Sequence, residues 1–290
     1  MSKIIFINGG SKEFSQKFRK KSEEMNIDCV SVRALYTSFF VKDRKVEIRH
    51  RGERLSIDDL KYAFIRVRGK VPHTASLLLL ILSFFGVKHN DISNTEHTES
   101  GEKITQMVRL SLGGVLVPDS CVFNRYTFKF NKVLIESKIS YPCVLKTSGS
   151  KGEMVWKVNS LKEIKEKVKG IEKEMVMVQE FIPNDFDIRV LCIFGEVIGA
   201  VKRSSTDDFY NNLAQGGVSE IIEITEEEKE LAKRACEVLE VDFGGVDIVR
   251  TERGPMIFEV NTGPQVYGFE EATGINVPGE LVERIKKNFL

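Results

Sequence analysis

Three stretches of this chain read as strand–turn–strand units: 141–158, 187–203 and 244–261. Each sets two short apolar runs on either side of a glycine-bearing turn. Helical patterns separate them. Ser160-Leu-Lys-Glu163 and Thr225-Glu-Glu-Glu228 read as capping boxes, in which a hydroxyl and a carboxylate satisfy orphan amides at a helix start. Hairpins alternating with capped helices make up the rest of the pattern.

The first third differs. Ile4–Ile7 and Asp28–Val32 read as strands around a helix over Ser11–Met25, in which Phe14 and Phe18 lie four apart. This βαβ pattern predicts a small parallel sheet, the α/β element of the fold. Asn8-Gly9-Gly10 lacks the G-x-G-x-x-G spacing and reads as a plain strand-to-helix turn. Further strands are expected at Val46–Arg49 and Tyr62–Arg68, and an apolar helix from Thr74 to Phe85. The polar stretch Asn90–Gly101 marks a boundary. A helix follows over Lys103–Leu112, and a strand over Met175–Ile182 ends at Pro183. The expected division is 1–98, 99–178 and 179–290.

Composition removes several function classes. Forty-three basic residues face forty-two acidic ones, which gives no push toward nucleic acid. The longest apolar run, Ala75 to Val87, is shorter than the roughly 20 residues of a spanning helix, so no membrane is expected. The start is too abruptly polar for a signal peptide. Cys29, Cys121, Cys143, Cys192 and Cys236 form no C-x-x-C pair and read as reduced, buried thiols of a cytoplasmic protein. His50, His73, His89 and His97 lack metal-ligand spacing and read as surface or loop residues.

The last hairpin carries the strongest chemical signal. Glu259 and Asn261 are two apart on one strand and share a face. A loop centred on Arg253 sets Arg250 opposite Met256 and Asp247 opposite Glu259. Two carboxylates across a sheet repel, and a divalent cation reverses the sign. These oxygens suit Mg²⁺ beside nucleotide phosphates. The plainer alternatives are a polar outer face of the hairpin, or pairing of the carboxylates with Arg250 or Lys202.

Two weaker signals precede it. Lys146 ends a strand just before the Gly149–Gly152 loop, whose backbone amides can cover phosphates; an ordinary hairpin turn is the alternative. With a turn at Gly195-Glu196, Arg189 faces Lys202, and two adjacent cations want an anion. Pairing with Asp187 or Asp207 is the alternative there. Asn212, in the polar loop after that hairpin, can serve as an oxygen ligand or lie on a surface loop.

The order of these segments is more specific than any one of them. Val178-Gln-Glu-Phe-Ile-Pro, Asp187-Ile-Arg189, Lys202-Arg203, Asp208-Phe-x-x-Asn212-Leu-x-x-Gly-Gly, Gly245-Val-Asp247-Ile and Phe258-Glu-Val-Asn261-Thr-x-Pro264 together resemble the RimK-type glutamate ligases of the ATP-grasp superfamily. The closing Glu270-Glu-Ala-Thr-Gly-Ile is similar too, and the clear resemblance runs from Lys103 to Ile275. It implies an N-terminal parallel-sheet lobe beside two α+β lobes that clamp ATP.

Residue by residue, the resemblance assigns Lys103 and Lys146 to the ATP phosphates and the backbone of Glu180 and Phe181 to adenine. It assigns Asp187 to the ribose, and Arg189 and Arg203 to the γ-phosphate and acyl intermediate. Asp247, Glu259 and Asn261 fall on the Mg²⁺ ligands, for two Mg²⁺ ions with Mn²⁺ as an alternative, and Asn212 on a further ATP contact. Lys202 and Gly152 fall within the nucleotide site, and Lys151 adds a phosphate contact. Lys151 and Glu153-Met154 stand where relatives carry more glycine. Thr262-Gly-Pro-Gln-Val-Tyr267 replaces the usual Ser-Pro-Gly pattern, next to the acceptor.

The implied reaction is ADP-forming. A carboxylate takes the γ-phosphoryl group, and an amine then displaces phosphate to leave an amide. The expected partners are an amino acid, commonly glutamate, and a carboxylate-bearing peptide, protein C-terminus or small acceptor, with a homo-oligomer also expected. Arg66 and Arg68 are candidates for an acidic acceptor, with surface ion pairing as the alternative. The rival functions are an ATP-grasp kinase and a non-catalytic nucleotide-binding protein.

Overall fold

The computed structural model describes residues 3–8, 11–66, 71–92, 103–147, 155–204 and 218–290. Lys151, Gly152, Asn212 and Arg68 fall outside them.

In the first lobe the βαβ expectation holds. β1 (Lys3–Ile7) pairs in parallel with β2 (Asp28–Val32) on one side. Helix α1 (Lys12–Glu24) makes the crossover and is capped by the Ser11 side chain. Its Phe18 stacks on Phe6 at 4.5 Å and on Phe64 at 5.4 Å between ring centroids, which seats the helix on one sheet face. The chain then forms a small antiparallel sheet of β3 (Thr37–Lys42), β4 (Lys45–His50) and β5 (Glu53–Arg54). Only the middle strand was expected. Of its apolar side chains, Ile48 and Phe39 reach the core while Phe40 and Val41 are exposed, so its burial pattern is weak. β6 (Leu60–Ile65) returns to the other side of β1, and α2 (Pro72–Phe84) covers that sheet with buried Leu78, Leu79 and Leu82. β7 (Lys88–His89) completes the order β2-β1-β6-β7.

α3 (Lys103–Leu112) has the predicted bounds. The central sheet has the order β10-β9-β11-β8, from β8 (Ser120–Asn124), β9 (Cys143–Thr147), β10 (Val155–Val158) and β11 (Met175–Glu180). α4 (Phe128–Lys138) and α5 (Leu161–Lys169) cover one face, over Phe123, Leu145, Val176 and Val178. The Ser160 hydroxyl accepts from Glu163 N at 3.3 Å, but the Glu163 carboxylate accepts from Asn159 N at 3.0 Å. The cap is therefore real but not the full box expected. The second box is complete, with Thr225 and Glu228 exchanging both bonds.

The C-terminal sheet runs β14-β13-β12-β15-β16. Its strands are β12 (Asp187–Ile193), β13 (Glu196–Ser204), β14 (Val218–Ile221), β15 (Phe243–Thr251) and β16 (Gly254–Asn261). α6 (Glu226–Leu239) and α3 cover its back through Ala232, Ala235, Met107 and Leu110. α7 (Tyr267–Thr273) and α8 (Val277–Phe289) follow.

Both hairpins of this sheet correct the sequence reading. The β12–β13 turn is Phe194-Gly195, both at positive φ, which suits the twist of a two-residue hairpin. Ile193 therefore faces Glu196, and a bulge between Leu191 and Cys192 moves the register back by one residue, half of the way to the expected pairing. Arg189 thus faces Val201, not Lys202; Lys202 faces Ile188 and Arg203 faces Asp187. A one-residue slip moves a side chain to the other side of a sheet. In the last hairpin Arg250 faces Pro255, not Met256, while Asp247 does face Glu259. The turn is one residue tighter than expected, and a bulge at Asp247/Ile248 restores the register.

One face of the C-terminal sheet is divided. Near the β12–β13 turn, Leu191, Ile193, Val201 and Phe243 join Phe6, Phe18 and Phe64 of the first lobe and Leu281 and Ile285 of α8 in one core. Further along, the same face carries Asp187, Arg189, Arg203, Asp247 and Glu259.

Four cysteines are buried, while Cys29 is only half-buried. His89 is buried, not on the surface: its Nε2 lies 2.9 Å from Ser83 Oγ and its Nδ1 accepts from Asp91 N at 3.1 Å. No described helix is long and apolar enough to cross a membrane.

Candidate active site

The divided sheet face holds a charge cluster built from three adjacent strands. Arg189 on β12 grips Asp247 on β15 with a bidentate contact, Nη2 to Oδ2 at 2.9 Å. Arg203 on β13 grips Asp187 at 2.7 and 2.6 Å and reaches Asp247 at 3.0 Å. Two guanidiniums thus hold two carboxylates in a largely buried patch. Burial alone would raise the Asp247 carboxyl, but Arg189 and Arg203 win and hold it below the usual range. Asp187 goes the other way: burial, then the charge of Asp247, pushes it up to about 6 against the pull of Arg203.

β16 adds Glu259 and Asn261 beside Asp247. The Asn261 amide satisfies both neighbours when its oxygen accepts from Arg189 Nη2 at 3.1 Å and its nitrogen donates to Glu259 Oε1 at 3.2 Å. Glu259 Oε2 meets Lys103 Nζ at 2.8 Å. The alternative partners read from the sequence are elsewhere. Arg250 pairs with Glu228 at 2.6 Å on the helical side, and Lys202 lies 4.7 Å over the Phe186 ring on the face opposite Arg189.

A residue the sequence reading passed over fixes Lys103. Gln106, buried one turn along α3, donates to Val260 O at 2.9 Å and accepts from Val260 N at 3.2 Å. Both free groups of one β16 residue are clamped, and Lys103, three residues earlier on the same helix face, is delivered to Glu259.

Lys146 comes from the other sheet. It shares the face of β9 with Val144 and pairs across to Val155 and Met177. Its Nζ donates to Gln179 Oε1 at 2.6 Å, and Gln179 donates on to Ser120 Oγ at 3.0 Å. Burial first, then the charge of Lys103, pulls Lys146 down to about 8, with Glu259 opposing. Gln106 carries no charge and no motif, and Gln179, though inside the Val178-Gln-Glu-Phe-Ile-Pro run, was given no role there, so only predicted burial on a helix and a strand could have drawn attention to them.

Of the two residues expected at adenine, Glu180 turns its carboxylate to the strand face opposite Lys146. It accepts from Asp119 N at 2.7 Å and is gripped by Arg253. The Phe181 ring carries Lys157 Nζ at 3.9 Å from its centre.

Gly245 shows how tightly the site is built. A β-carbon there would stand 2.9 Å from Arg189 Cδ, 3.0 Å from Arg189 Nη1 and 2.9 Å from Pro264 Cβ. Only glycine lets the Arg189 side chain and the loop after Asn261 lie against the same strand.

Lys146 on the central sheet and Lys103 on α3 thus stand beside a cluster of three carboxylates, an amide and two arginines on the C-terminal sheet. An all-oxygen donor set of Asp247, Glu259 and Asn261, on neighbouring strands, fits Mg²⁺. Lys103 and the arginines hold those carboxylates here, so their charge is compensated. The RimK-like ATP-grasp domain matches residues 101–285. The chain belongs to the RimK-like ATP-grasp family.

Within the family it is similar to a probable alpha-L-glutamate ligase of Maridesulfovibrio salexigens. The identity is 35% over 66% of this chain and 65% of that protein's length. A probable alpha-L-glutamate ligase of Methanococcoides burtonii is 28% identical over 99% of this chain and 96% of its own. Among solved structures, the ATP-grasp ligase PsnB complexed with a minimal precursor shares the fold. The TM-score is 0.75 at 17% identity, over 99% of each chain, and PsnB has also been solved with precursor, Mg and ADP. The ATP-grasp fold expected from the sequence is the fold observed.

Proposed function

We propose that this chain is an ATP- and Mg²⁺-dependent, ADP-forming ligase that joins a carboxylate to an amine. The observation that carries it is the meeting of Lys103 and Lys146 with Asp247, Glu259, Asn261, Arg189 and Arg203 across one cleft. No nucleophilic side chain is needed. Phosphoryl transfer to a carboxylate asks chiefly for positioning and charge neutralisation.

Lys103 and Lys146 bind phosphate oxygens of ATP, which replace Glu259 and Gln179 as their partners. Arg189 and Arg203 sit where charge gathers on the transferred phosphoryl group and the acyl oxygen. Asp187 and Asp247 keep both guanidiniums aimed. Bound to Asp247, Glu259 and Asn261, Mg²⁺ would neutralise phosphate charge. Two ions, and Mn²⁺ as a substitute, are part of the proposal. So are Lys151, Gly152 and Asn212 as nucleotide contacts, and the lobe division at 98 and 178. Lys202, on the other sheet face, stays outside the cluster.

The relatives' names support glutamate as the amino acid, and the PsnB precursor supports a peptide acceptor. Five free cysteines support a reducing compartment such as the cytoplasm.

The test is phosphate release from Mg-ATP across the twenty amino acids, with and without acceptor peptides, followed by mass spectrometry. Phosphate release with a mass gain of one residue is expected. A product that gains a phosphoryl group instead makes the protein a kinase. Tight ATP binding with no release under any mixture leaves a nucleotide-binding protein.

A further inference from the structure

Arg66 stands just past the end of β6 and is only 9% exposed. Its Nη2 donates to the Pro264 carbonyl at a long 3.4 Å. Its guanidinium lies 4.3 Å over the Phe14 ring, and its Nε is buried with no hydrogen-bond partner. The acid that acts on it electrostatically is Glu270. That carboxylate is already engaged by Lys17 Nζ at 3.2 Å and Val277 N at 3.1 Å. Among the described residues Arg66 makes no ion pair. A buried guanidinium stays charged and is costly when unpaired. Arg189 and Arg203, equally buried, each hold a carboxylate.

Its place in the fold is also particular. The first sheet runs β2-β1-β6-β7, so the chain leaves β1 in one direction to β2 and later returns on the other side as β6. The strand order reverses between β1 and β6. In open parallel sheets the crevice beyond the carboxyl ends of the strands at such a point is where ligands bind. Arg66 sits there, with its N–H 3.4 Å from Ile7 O. Through Pro264 it adjoins the reacting cluster, because that proline and Arg189 lie against the same Gly245.

We propose, on the ligase reading above, that Arg66 binds a non-reacting carboxylate of the substrate, at a subsite between the first lobe and the 262–266 loop. The planar fork takes the two oxygens of that carboxylate. The anion supplies the partner that the folded chain lacks and fixes the substrate relative to Arg189. A carboxylate of the incoming amino acid and one of the acceptor share this chemistry.

The test compares the full-length wild type with Arg66→Met and Arg66→Lys. Removing an unpaired buried cation leaves the melting temperature of Arg66→Met unchanged or raised; a fall of several degrees would make Arg66 structural and overturn the proposal. In turnover, Arg66→Met raises KM at least about 10-fold for one carboxylate substrate, as loss of a charged hydrogen bond requires, and leaves KM for ATP unchanged. Arg66→Lys recovers part of that loss. The KM that moves, for L-glutamate or for the acceptor peptide, identifies the source; unchanged KM for both overturns the proposal. Should the wild type release no phosphate with any mixture, the ligase reading fails by itself. Succinate then decides for Arg66: it is expected to raise the melting temperature of the wild type and not of Arg66→Met. Equal responses to succinate overturn the subsite.

Discussion

The two faces of the cleft handle charge in opposite ways. On the C-terminal sheet, cations and anions are matched: Arg189 and Arg203 against Asp187 and Asp247. On the central sheet, Lys146 leans on a neutral amide, Gln179, and has its affinity for a proton lowered by burial. A matched cluster is rigid and holds its geometry whether or not substrate is present. An under-neutralised lysine is a receptor for an anion yet to arrive. On the proposed function, one face is the pre-set template and the other the part that ATP completes.

The sharpest way to break this contrast is Asp247→Asn. It leaves two buried guanidiniums short of charge, at a cost of about 3 kcal/mol or more in urea unfolding, and lowers ATP turnover more than about 100-fold. A variant with wild-type turnover would remove Asp247 from the site. Gln179→Leu is milder. It takes away a neutral acceptor, so stability changes by about 1 kcal/mol, and kcat/KM for ATP falls about 10-fold through a misplaced Lys146. If both variants lost stability equally, the two faces would be alike.

The smallest effect is on pH. Lys146 titrates in the folded protein at about 8, below its ordinary 10.5. Its charge is lost as pH rises through about 8, so kcat/KM for ATP declines above that pH. Between about 8 and 10.5 the unfolded chain holds a proton that the folded chain has shed, so this lysine adds stability as pH rises there. Lys146→Met should remove both slopes, which paired pH profiles of turnover and denaturation would read.

Much of this was legible because the chemistry travels on short strands with tight spacing. Asp247 opposite Glu259 was read correctly, but by two errors that cancelled: a loop one residue too long, and a bulge no pattern announces. In β12–β13 the turn lies one residue earlier than expected, an error of two in register, and the bulge cancels only half of it, so Lys202 went to the wrong face. Gln106 and Gln179 were invisible because an amide's role depends on what lies across from it, here Val260 and Lys146, far along the chain. β3 and β5 escaped because they stand mostly in solvent and carry little of the alternation that burial imposes.

The shared core between the first lobe and the C-terminal sheet has a mechanical consequence. Phe243 and Leu191 are packed with Phe6 and Phe64, and α3 is pinned to β16 by Gln106. These parts turn as one body, since separating them would bare an aromatic interior. The central sheet has a core on one face, from Cys121 to Val178, but on the other its Met177 is buried in one core with Ile104 and Met107 of α3. Any shift of Lys146 relative to Asp247 and Glu259 therefore works against the packing of Met177, which favours a small slide of the sheet over a wide swing.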